Sequence, residues 1–336
     1  MTRNNFAGPN SFTLCSLIEN RYNTGHTLMR IIITGARGFA GAHLGNALTA
    51  RNHTVLGIDD LSAPSGNPVR FPIKIGKARS LKGDLLKDTD VLIHLAARIN
   101  VDESILEPSL YFTENVGDTL ELLETVRRHA PRIKFIYAST SEVYGSGDNS
   151  PMSEVHPLRP ASPYAVSKLA AEQLCANYRD IHGLDMTIAR NFNTFGEYQR
   201  DGMYGGVIPK FVSQGLAKKP ITVFGDGTQS RDYMHVSQAI NGYIMATEGR
   251  MPALFNCGSG QSHRIIDIAK AIAKKFHVPI THHEPRPNEV QYLCVDCRLA
   301  QKHGYPVTTD FWAMLDSYCD WRKEPQSSPH EFAHLA

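Results

Sequence analysis

The sequence predicts an α/β protein built on a doubly wound parallel sheet, with a smaller α/β substrate-binding domain appended to it. Short β-branched runs alternate with helix-periodic stretches, and a glycine-rich turn follows the first of these runs. The length of 336 residues also exceeds the usual size of a single core. Because the first strand leads through glycines into a helix, we expect the larger domain to be of the Rossmann type.

The composition excludes several classes of protein. A net charge of +2 gives the chain no global attraction to nucleic acid or to a membrane surface, and no apolar run has the length of a membrane span. The six cysteines are scattered along the chain. We therefore expect neither nucleic acid nor a membrane as a partner, and a reducing location in the cytoplasm.

The strands and helices are predicted in order along the chain. Residues 30–34 form a run that is too short for a helix and apolar enough for a buried parallel strand. Similar runs predict further strands at 55–58, 91–95, 134–138, 186–190, 221–224 and 254–256. Helical spacing predicts helices at 42–48, 119–128, 164–182, 211–218, 236–247 and 265–276.

The domain limits follow from a break in this alternation after Asn191. The next stretch is rich in Gly, Tyr and Pro, which is typical of a region that covers a substrate. We predict a larger domain of residues 29–192 plus about 230–260, and a smaller one of about 193–229 plus 261–325. Residues 1–28 are predicted to be an N-terminal extension and 326–336 a tail.

The glycine-rich turn contains Gly35, Gly38 and Gly41 between the first strand and the first helix. Glycines there permit a tight turn, let the backbone approach a pyrophosphate, and leave the N–H groups of the helix start facing the phosphates. Asp59 ends the second strand, where a carboxylate binds ribose hydroxyls and repels a 2′-phosphate. The pattern predicts NAD rather than NADP, with an arginine inside the turn as the one counter-indication.

Tyr164 and Lys168 are four residues apart on a predicted helix, so their side chains share one face. A cation near a phenol favours the phenolate, and the positive charge of the nicotinamide adds to this effect, so we expect a lowered pKa for Tyr164. Such a phenol can take a proton from a substrate hydroxyl while hydride leaves the same carbon. The spacing alone also fits a surface helix. The string STSEVYG, residues 139–145, directly after a buried strand favours catalysis.

The motifs, taken in order, resemble those of extended short-chain dehydrogenase/reductases, and among them the NAD-dependent nucleotide-sugar epimerase/dehydratase family. The resemblance covers roughly residues 29–325 and rests on TGARGFAG, IDDLS, GDLL, HLAA, ASTSEVYG, SPYAVSK, RNFNTFG, VIPKF, GDGTQSRDYMHV and PRPNE. It implies a catalytic triad of Thr140, Tyr164 and Lys168. Thr140 would hydrogen-bond the reacting sugar oxygen, Tyr164 would act as acid and base, and Lys168 would also hold the nicotinamide ribose.

The resemblance also implies two sets of binding residues. The cofactor set consists of Gly35, Gly38, Phe39, Ala40, Gly41, Asp59, Asp84, Leu85, Leu95, Ala96, Ala97, Tyr164 and Lys168, with His94 and Asn115 nearby. Asp84 would meet the adenine amine, or would otherwise cap a helix. The substrate, a nucleotide-diphosphate sugar with UDP as the default, would contact Asn193, Val207, Arg231 and Arg286. The two arginines are assigned to its diphosphate, because guanidinium forks match phosphate oxygens.

The reaction that follows oxidation at C4 depends on Ser141 and Glu142, which come after Thr140. A carboxylate near C5 can abstract the C5 proton and permit loss of water across C5–C6. The sequence therefore favours a 4,6-dehydratase, with Ser141 and Glu142 added to the catalytic set. A 4-epimerase is the alternative if Glu142 faces away from the pocket. A UDP-glucuronate decarboxylase is a lesser alternative, since TSEVYG resembles such enzymes too.

Two further expectations concern assembly and metals. By resemblance, we expect a homodimer formed by helices, to which Leu169, Ala170, Leu174 and Cys175 would contribute an apolar face. The same residues could equally pack on their own sheet. We expect no metal site, because the C-x-x-C spacing of Cys294 and Cys297 has no second Cys or His pair beside it.

Overall fold

The computed structural model describes residues 27–63, 65–146, 151–201, 206–286, 290–307 and 310–324. The predicted extension lies outside these residues except for its last two, and the predicted tail lies wholly outside them. Within the described part of the chain, no helix is long and apolar enough to cross a membrane.

Thirteen strands are found among the described residues. In chain order they are β1 (Arg30–Thr34), β2 (Thr54–Asp59), β3 (Ile73–Ile75), β4 (Val91–His94), β5 (Lys134–Thr140), β6 (Met186–Asn191), β7 (Asn193–Phe195), β8 (Ile221–Phe224), β9 (Ser230–His235), β10 (Leu254–Cys257), β11 (Ser262–Arg264), β12 (Ile280–His283) and β13 (Tyr292–Leu293).

The helices of the described residues follow the same order. They are α1 (Phe39–Thr49), α2 (Gly83–Leu86), α3 (Val101–Leu106), α4 (Pro108–Tyr111), α5 (Asp118–His129), α6 (Pro163–His182), α7 (Val207–Leu216), α8 (Val236–Thr247), α9 (Ile265–Phe276), α10 (Arg298–Lys302) and α11 (Phe311–Lys323). A π-helical turn at Phe112–Gly117 joins α4 to α5, and 3₁₀ turns lie at Ala78–Ser80 and Ser141–Tyr144.

The larger sheet has seven strands in the order β10-β6-β5-β4-β1-β2-β3. Every neighbouring pair in it is parallel. The strand order reverses between β1 and β4, which makes the carboxyl ends of these two strands the switch point where ligands bind in such sheets. This topology confirms the predicted doubly wound fold.

Apolar side chains cover both faces of this sheet. One core packs the sheet against α1 and α8, and includes Leu44 and Ile240. The other packs it against α5 and α6, and includes Leu123 and Ala171. Strands buried on both faces read as continuous apolar runs, which is why the run at 30–34 could be recognised in the sequence.

A third core lies in the second half of the chain. It joins α7, α9 and α11 with β8, and includes Phe211, Ile268 and Tyr318. A smaller sheet runs β11-β9-β13, with β7 also paired to β9. The domain limits stay a prediction, although β9, assigned from sequence to the larger domain, pairs within this smaller sheet.

Local signals explain where helix α6 begins and ends. The hydroxyl of Ser162 accepts a hydrogen bond from the Ala165 N–H at 3.1 Å, and Pro163 occupies the first helical position. Gly183 ends the helix in the left-handed conformation with φ 68°. Helix α7, by contrast, begins at Val207 rather than at the expected residue 211.

The residues proposed from sequence for a dimer face pack within the protomer. Cys175 is buried in the core under α6, Leu174 packs against that core, and Leu169 packs against a small core near β13. This corresponds to the second of the two sequence-based alternatives. The exposed apolar side chains of this region are instead Ile105, Leu106, Phe112, Leu120, Val166 and Ile181.

Candidate active site

The glycine-rich turn closes tightly against neighbouring backbone. The Gly35 N–H donates to the Ile58 carbonyl oxygen at 2.9 Å, and Gly35 has φ +70°. A Cβ on Gly35 would lie 2.7 Å from the Ala96 nitrogen, and one on Gly41 would lie 2.1 Å from the Gly35 carbonyl oxygen. These positions therefore exclude any side chain, as expected for a turn over which a diphosphate passes.

Helix α1 begins at this turn with its N–H groups available. Its N-cap, Gly38, supplies no side-chain hydrogen bond, and its first turn, which includes Phe39 and Ala40, has no acidic residue. Free N–H groups and the positive end of the helix dipole suit an anion. The turn and the helix start together fit the pyrophosphate of a dinucleotide.

We expect Gly41→Ala to lose cofactor, because a Cβ there forces the Gly35 carbonyl and the turn to move. The protein should retain less NAD after gel filtration and should unfold at a lower temperature. Gly117→Ala is the matched control, since its Cβ would lie 3.9 Å from the Phe112 carbonyl oxygen, at ordinary van der Waals distance. Equal NAD retention in the two variants would contradict this interpretation of the turn.

Asp59 lies at the carboxyl end of β2 and holds the glycine-rich turn through its carboxylate. Its carboxylate accepts hydrogen bonds from the Arg37 N–H and the Leu61 N–H, both at 2.8 Å. The side chain is buried. Two backbone donors leave further lone pairs on this carboxylate, so the predicted contact with ribose hydroxyls remains compatible with the geometry.

The structure places the other predicted cofactor residues at two locations. Leu95, Ala96 and Ala97 follow β4 at the switch point, beside the glycine turn. Asp84 is exposed in the first turn of α2, where it pairs with Lys87 at 2.7 Å, and Leu85 packs partly on the core. Asp84 is not the helix N-cap, which is Lys82. Its contact with adenine stays a prediction.

His94 is a buried, neutral residue at the end of β4. Thr119 donates its hydroxyl proton to the Asn115 carbonyl oxygen at 2.7 Å, so the His94 Nε2 must donate to Thr119, at 3.0 Å. The Nδ1 atom then accepts from Thr34 at 2.6 Å. Burial, together with the charge of Lys168, lowers the pKa of His94 to about 3. The residue positions strand ends and carries no proton to substrate.

Thr140 and Tyr164 are brought together by β5 and α6. The Tyr164 hydroxyl hydrogen-bonds the Thr140 side chain, and both residues are buried. Thr140 also accepts the Glu142 N–H at 3.2 Å and so starts the 3₁₀ turn. Burial raises the pKa of Tyr164 to about 12, so Lys168 by itself does not produce the lowered pKa, and the lowering expected with the nicotinamide charge stays a prediction. In the protein alone Tyr164 is therefore a protonated phenol.

The position of the Lys168 ammonium explains why its charge does not lower the pKa of Tyr164. Its ammonium nitrogen lies 4.3 Å from the centre of the Tyr137 ring, and Tyr137 rather than Tyr164 is the aromatic residue that it contacts. The side chain is buried, and burial lowers the pKa of Lys168 to about 8. A cation bound beside Tyr164 would lower the pKa of this phenol, because a positive charge favours the phenolate.

Glu142 lies within electrostatic reach of Tyr164. Its carboxylate raises the pKa of Tyr164 through charge, and the Arg231 guanidinium acts on Glu142 in turn. Burial raises the pKa of Glu142 above its ordinary value, against the opposing effect of Arg231. Ser141 is buried beside it. The charges of Glu142, Tyr164 and Arg231 are therefore coupled, and the side chain of Glu142 stays a candidate for proton exchange in this region.

The residues predicted to bind substrate are spread over the smaller sheet and its surroundings. Asn193 donates to the Asp232 carbonyl oxygen at 3.4 Å, and Val207 opens α7. Arg231 lies on β9 within electrostatic reach of Glu142. Arg286 is exposed and stacks on the Phe224 ring at 4.3 Å. The structure links Arg231 to the catalytic pocket, and the role of the other three stays a prediction.

A family model described as NAD dependent epimerase/dehydratase family matches residues 31–258. The chain belongs to this family. It is 30% identical over 301 residues to a putative UDP-glucose 4-epimerase of Methanocaldococcus jannaschii, with 87% of this chain and 98% of the relative covered. Similar proteins more often bear the name 4-epimerase than dehydratase.

Two solved structures of this family share the fold closely. A UDP-N-acetylglucosamine 4-epimerase from Methanobrevibacter ruminantium has a TM-score of 0.83 and 28% identity, covering 88% of this chain and 98% of its own. An NAD dependent NDP-hexosamine 5,6-dehydratase involved in tunicamycin biosynthesis has a TM-score of 0.82 and 28% identity, covering 88% and 99%. The family assignment and the NAD dependence expected from the sequence are confirmed.

A buried charged network was not found from the sequence. Arg190 on β6 pairs with Glu172 on α6 at 2.5 Å, and both side chains are 3% exposed. Glu172 also accepts the Ser139 hydroxyl at 2.6 Å, and Arg190 donates to the Tyr144 hydroxyl at 2.9 Å. The pair lies one turn beyond Lys168 and next to Thr140, so it holds α6 against the end of β5.

Asp232 is a second buried carboxylate that the sequence analysis missed. It accepts from the Ser259 N–H and the Gly260 N–H, both at 2.8 Å, and from the Ser259 hydroxyl at 2.7 Å. It also accepts the Val295 N–H at 3.3 Å. Asp232 therefore ties β9, which carries Arg231, to two other segments. The sequence signal that could have identified Asp232 was its position in the motif GDGTQSRDYMHV, directly after Arg231.

Proposed function

We propose that this protein is an NAD-dependent nucleotide-sugar 4-epimerase acting on UDP-sugars. The observation that carries the proposal is the Thr140–Tyr164 hydroxyl pair, buried next to Lys168 at the carboxyl end of β5. The predominance of 4-epimerases among its relatives favours this alternative over the 4,6-dehydratase favoured by the sequence. UDP is proposed because solved relatives are complexes with UDP-sugars.

The chain's own residues supply the proton chemistry. Thr140 and Tyr164 would both meet the C4 oxygen of the sugar, and Tyr164 would take the hydroxyl proton and later return one. Arg231 would hold the diphosphate from β9. NAD, when bound, supplies a hydride acceptor that is restored within each turnover. Inversion at C4 then needs only that the 4-keto sugar present its other face before C4 is reduced again, with Tyr164 returning the proton to the C4 oxygen.

A second candidate, the 4,6-dehydratase, is favoured by one observation, the position of Glu142. Its carboxylate lies within electrostatic reach of both Tyr164 and Arg231, and burial raises its pKa. A carboxyl group with a raised pKa can both accept and return a proton near neutral pH. In an epimerase the same carboxylate would have no proton to move.

Incubation with UDP-glucose, UDP-N-acetylglucosamine and UDP-glucuronate in deuterium oxide separates these candidates. The proposal predicts a product inverted at C4 that carries no solvent deuterium. Deuterium at C5 with loss of the 6-hydroxyl would overturn it in favour of the dehydratase, and release of carbon dioxide from UDP-glucuronate would indicate the decarboxylase.

We expect Glu142→Gln to separate the same candidates independently. For a 4-epimerase, kcat should fall by about tenfold or less, because the substituted group moves no proton. A 4,6-dehydratase should instead lose about 10²–10⁴-fold in kcat, the usual contribution of a general base. Product formation followed by NMR measures both, and a large loss of C4 inversion would contradict the proposal.

The homodimer and the cytoplasmic location expected from the sequence remain proposals. The exposed apolar side chains on α5, α6 and the π-helical turn, among them Phe112, Leu120 and Val166, support an association of these helices. The buried, unpaired thiols of the described residues, such as Cys175 and Cys257, support a reducing compartment. Analytical ultracentrifugation measures the oligomeric state directly and so tests the proposed homodimer.

A further inference from the structure

The ammonium group of Lys168 has an unusual environment. The side chain is only 4% exposed, and its nitrogen lies 4.3 Å from the centre of the Tyr137 ring. Among the described residues the structure gives no hydrogen bond or ion pair to this ammonium. A buried cation without a carboxylate partner needs another source of negative potential.

The nearby titratable groups do not offset the cost of burial, since the pKa of Lys168 is lowered. His94 on β4 is neutral, and Cys175 on α6 is an un-ionised thiol because burial raises its pKa. The charge of Glu172, one turn along α6, favours the ammonium, but its carboxylate directly binds Arg190 and the Ser139 hydroxyl. The negative face of an aromatic ring is the remaining partner for the ammonium at this point.

We propose that Tyr137 is a positioning residue, whose ring face holds the Lys168 ammonium in its buried place beside the catalytic pair. This inference rests on the proposed function, because it assigns how the lysine of that site is kept charged. Tyr137 lies on β5 three residues before Thr140, so a single strand positions both the ring and the catalytic hydroxyl.

The aromatic ring of Tyr137, and not its hydroxyl group, holds the Lys168 ammonium. The Tyr137 oxygen is buried and has no hydrogen-bond partner among the described residues. Tyr137→Phe keeps the ring face and removes an unpaired polar atom, so its unfolding temperature should equal or exceed that of the parent protein. Tyr137→Leu removes the ring face, and Lys168 then loses its stabilising contact.

The test is the pH profile of kcat. Burial lowers the pKa of Lys168 to about 8, and loss of the ring should lower it further. Because the charged form is the one required, the alkaline limb of Tyr137→Leu should move to lower pH by about one unit. The limb of Tyr137→Phe should stay in place. The fraction of protein that retains NAD after gel filtration should fall in the Leu variant alone.

The matched control is Phe135→Leu, a similar truncation of a buried ring on the same face of β5. It should lower the unfolding temperature without moving the alkaline limb. If Tyr137→Leu does not fold, pentafluorophenylalanine at position 137 keeps the shape and reverses the ring electrostatics, and it should shift the limb in the same direction.

Two results would overturn the proposal. One is an alkaline limb that does not move when the ring face is lost. The other is a limb that moves equally in Phe135→Leu, which would reduce the effect to packing. Neither result contradicts the proposed function as long as the parent protein inverts C4. The proposed function itself would be contradicted if the parent protein inverted C4 of no UDP-sugar.

Discussion

Replacing Tyr164 with phenylalanine is expected to lower kcat by about 10³-fold, within the usual range for loss of a general acid–base group. The phenol hydrogen-bonds the Thr140 side chain and is the group proposed to take up and return the proton of the C4 hydroxyl. Only one oxygen atom is removed, so the fold and NAD retention should not change. Steady-state kinetics on UDP-sugars, with a thermal unfolding curve, measure both.

Tyr178→Phe is the matched control for this experiment. Tyr178 lies on the same helix, α6, and donates its hydroxyl proton to Glu124 at 2.7 Å, away from Thr140. The control should keep kcat within about twofold of the parent protein. More than a tenth of the parental kcat remaining in Tyr164→Phe would contradict the assignment of Tyr164.

Arg190→Met is expected to cost the largest amount of stability, about 3–5 kcal/mol in the free energy of unfolding. The substitution leaves Glu172 buried without its cation, while the long apolar side chain keeps the volume nearly filled. Urea unfolding measures the loss. The double variant Glu172→Gln/Arg190→Met should recover part of it, because no buried charge then remains.

Arg264→Gln is the matched control, because it breaks an exposed pair with Asp267 and should lose about 1 kcal/mol or less. An equal loss of stability in the two variants would contradict the role given to the buried pair.

The sequence predicted those parts of the site that depend on neighbouring residues. Gly41 must be glycine because a Cβ there would meet the Gly35 carbonyl oxygen within the same turn, and Ser162 and Pro163 start the helix that presents Tyr164. A pattern of this kind is visible in one stretch of sequence. The larger sheet was predictable for the same reason, since its strands are short continuous apolar runs.

The missed features join residues that are distant in sequence. Glu172 and Arg190 meet only because α6 and β6 lie side by side, and neither charge stands out among the many of an ordinary chain. The raised pKa of Tyr164 in the protein alone was not predicted, because spacing places Lys168 on the same helix face but does not show that its ammonium lies on Tyr137. The charge coupling of Glu142 with Tyr164 and Arg231 likewise became visible only in three dimensions.

A UDP-sugar substrate that carries deuterium on C4 tests the central claim, oxidation at C4 followed by reduction within the same site, most directly. The account predicts that the product keeps the deuterium, at an inverted C4, because the hydrogen removed from carbon returns to the sugar without exchange with water. Mass spectrometry and proton NMR locate the label. Deuterium found at C6 of the product would identify the reaction as that of a 4,6-dehydratase. Loss of the deuterium to solvent would contradict the account.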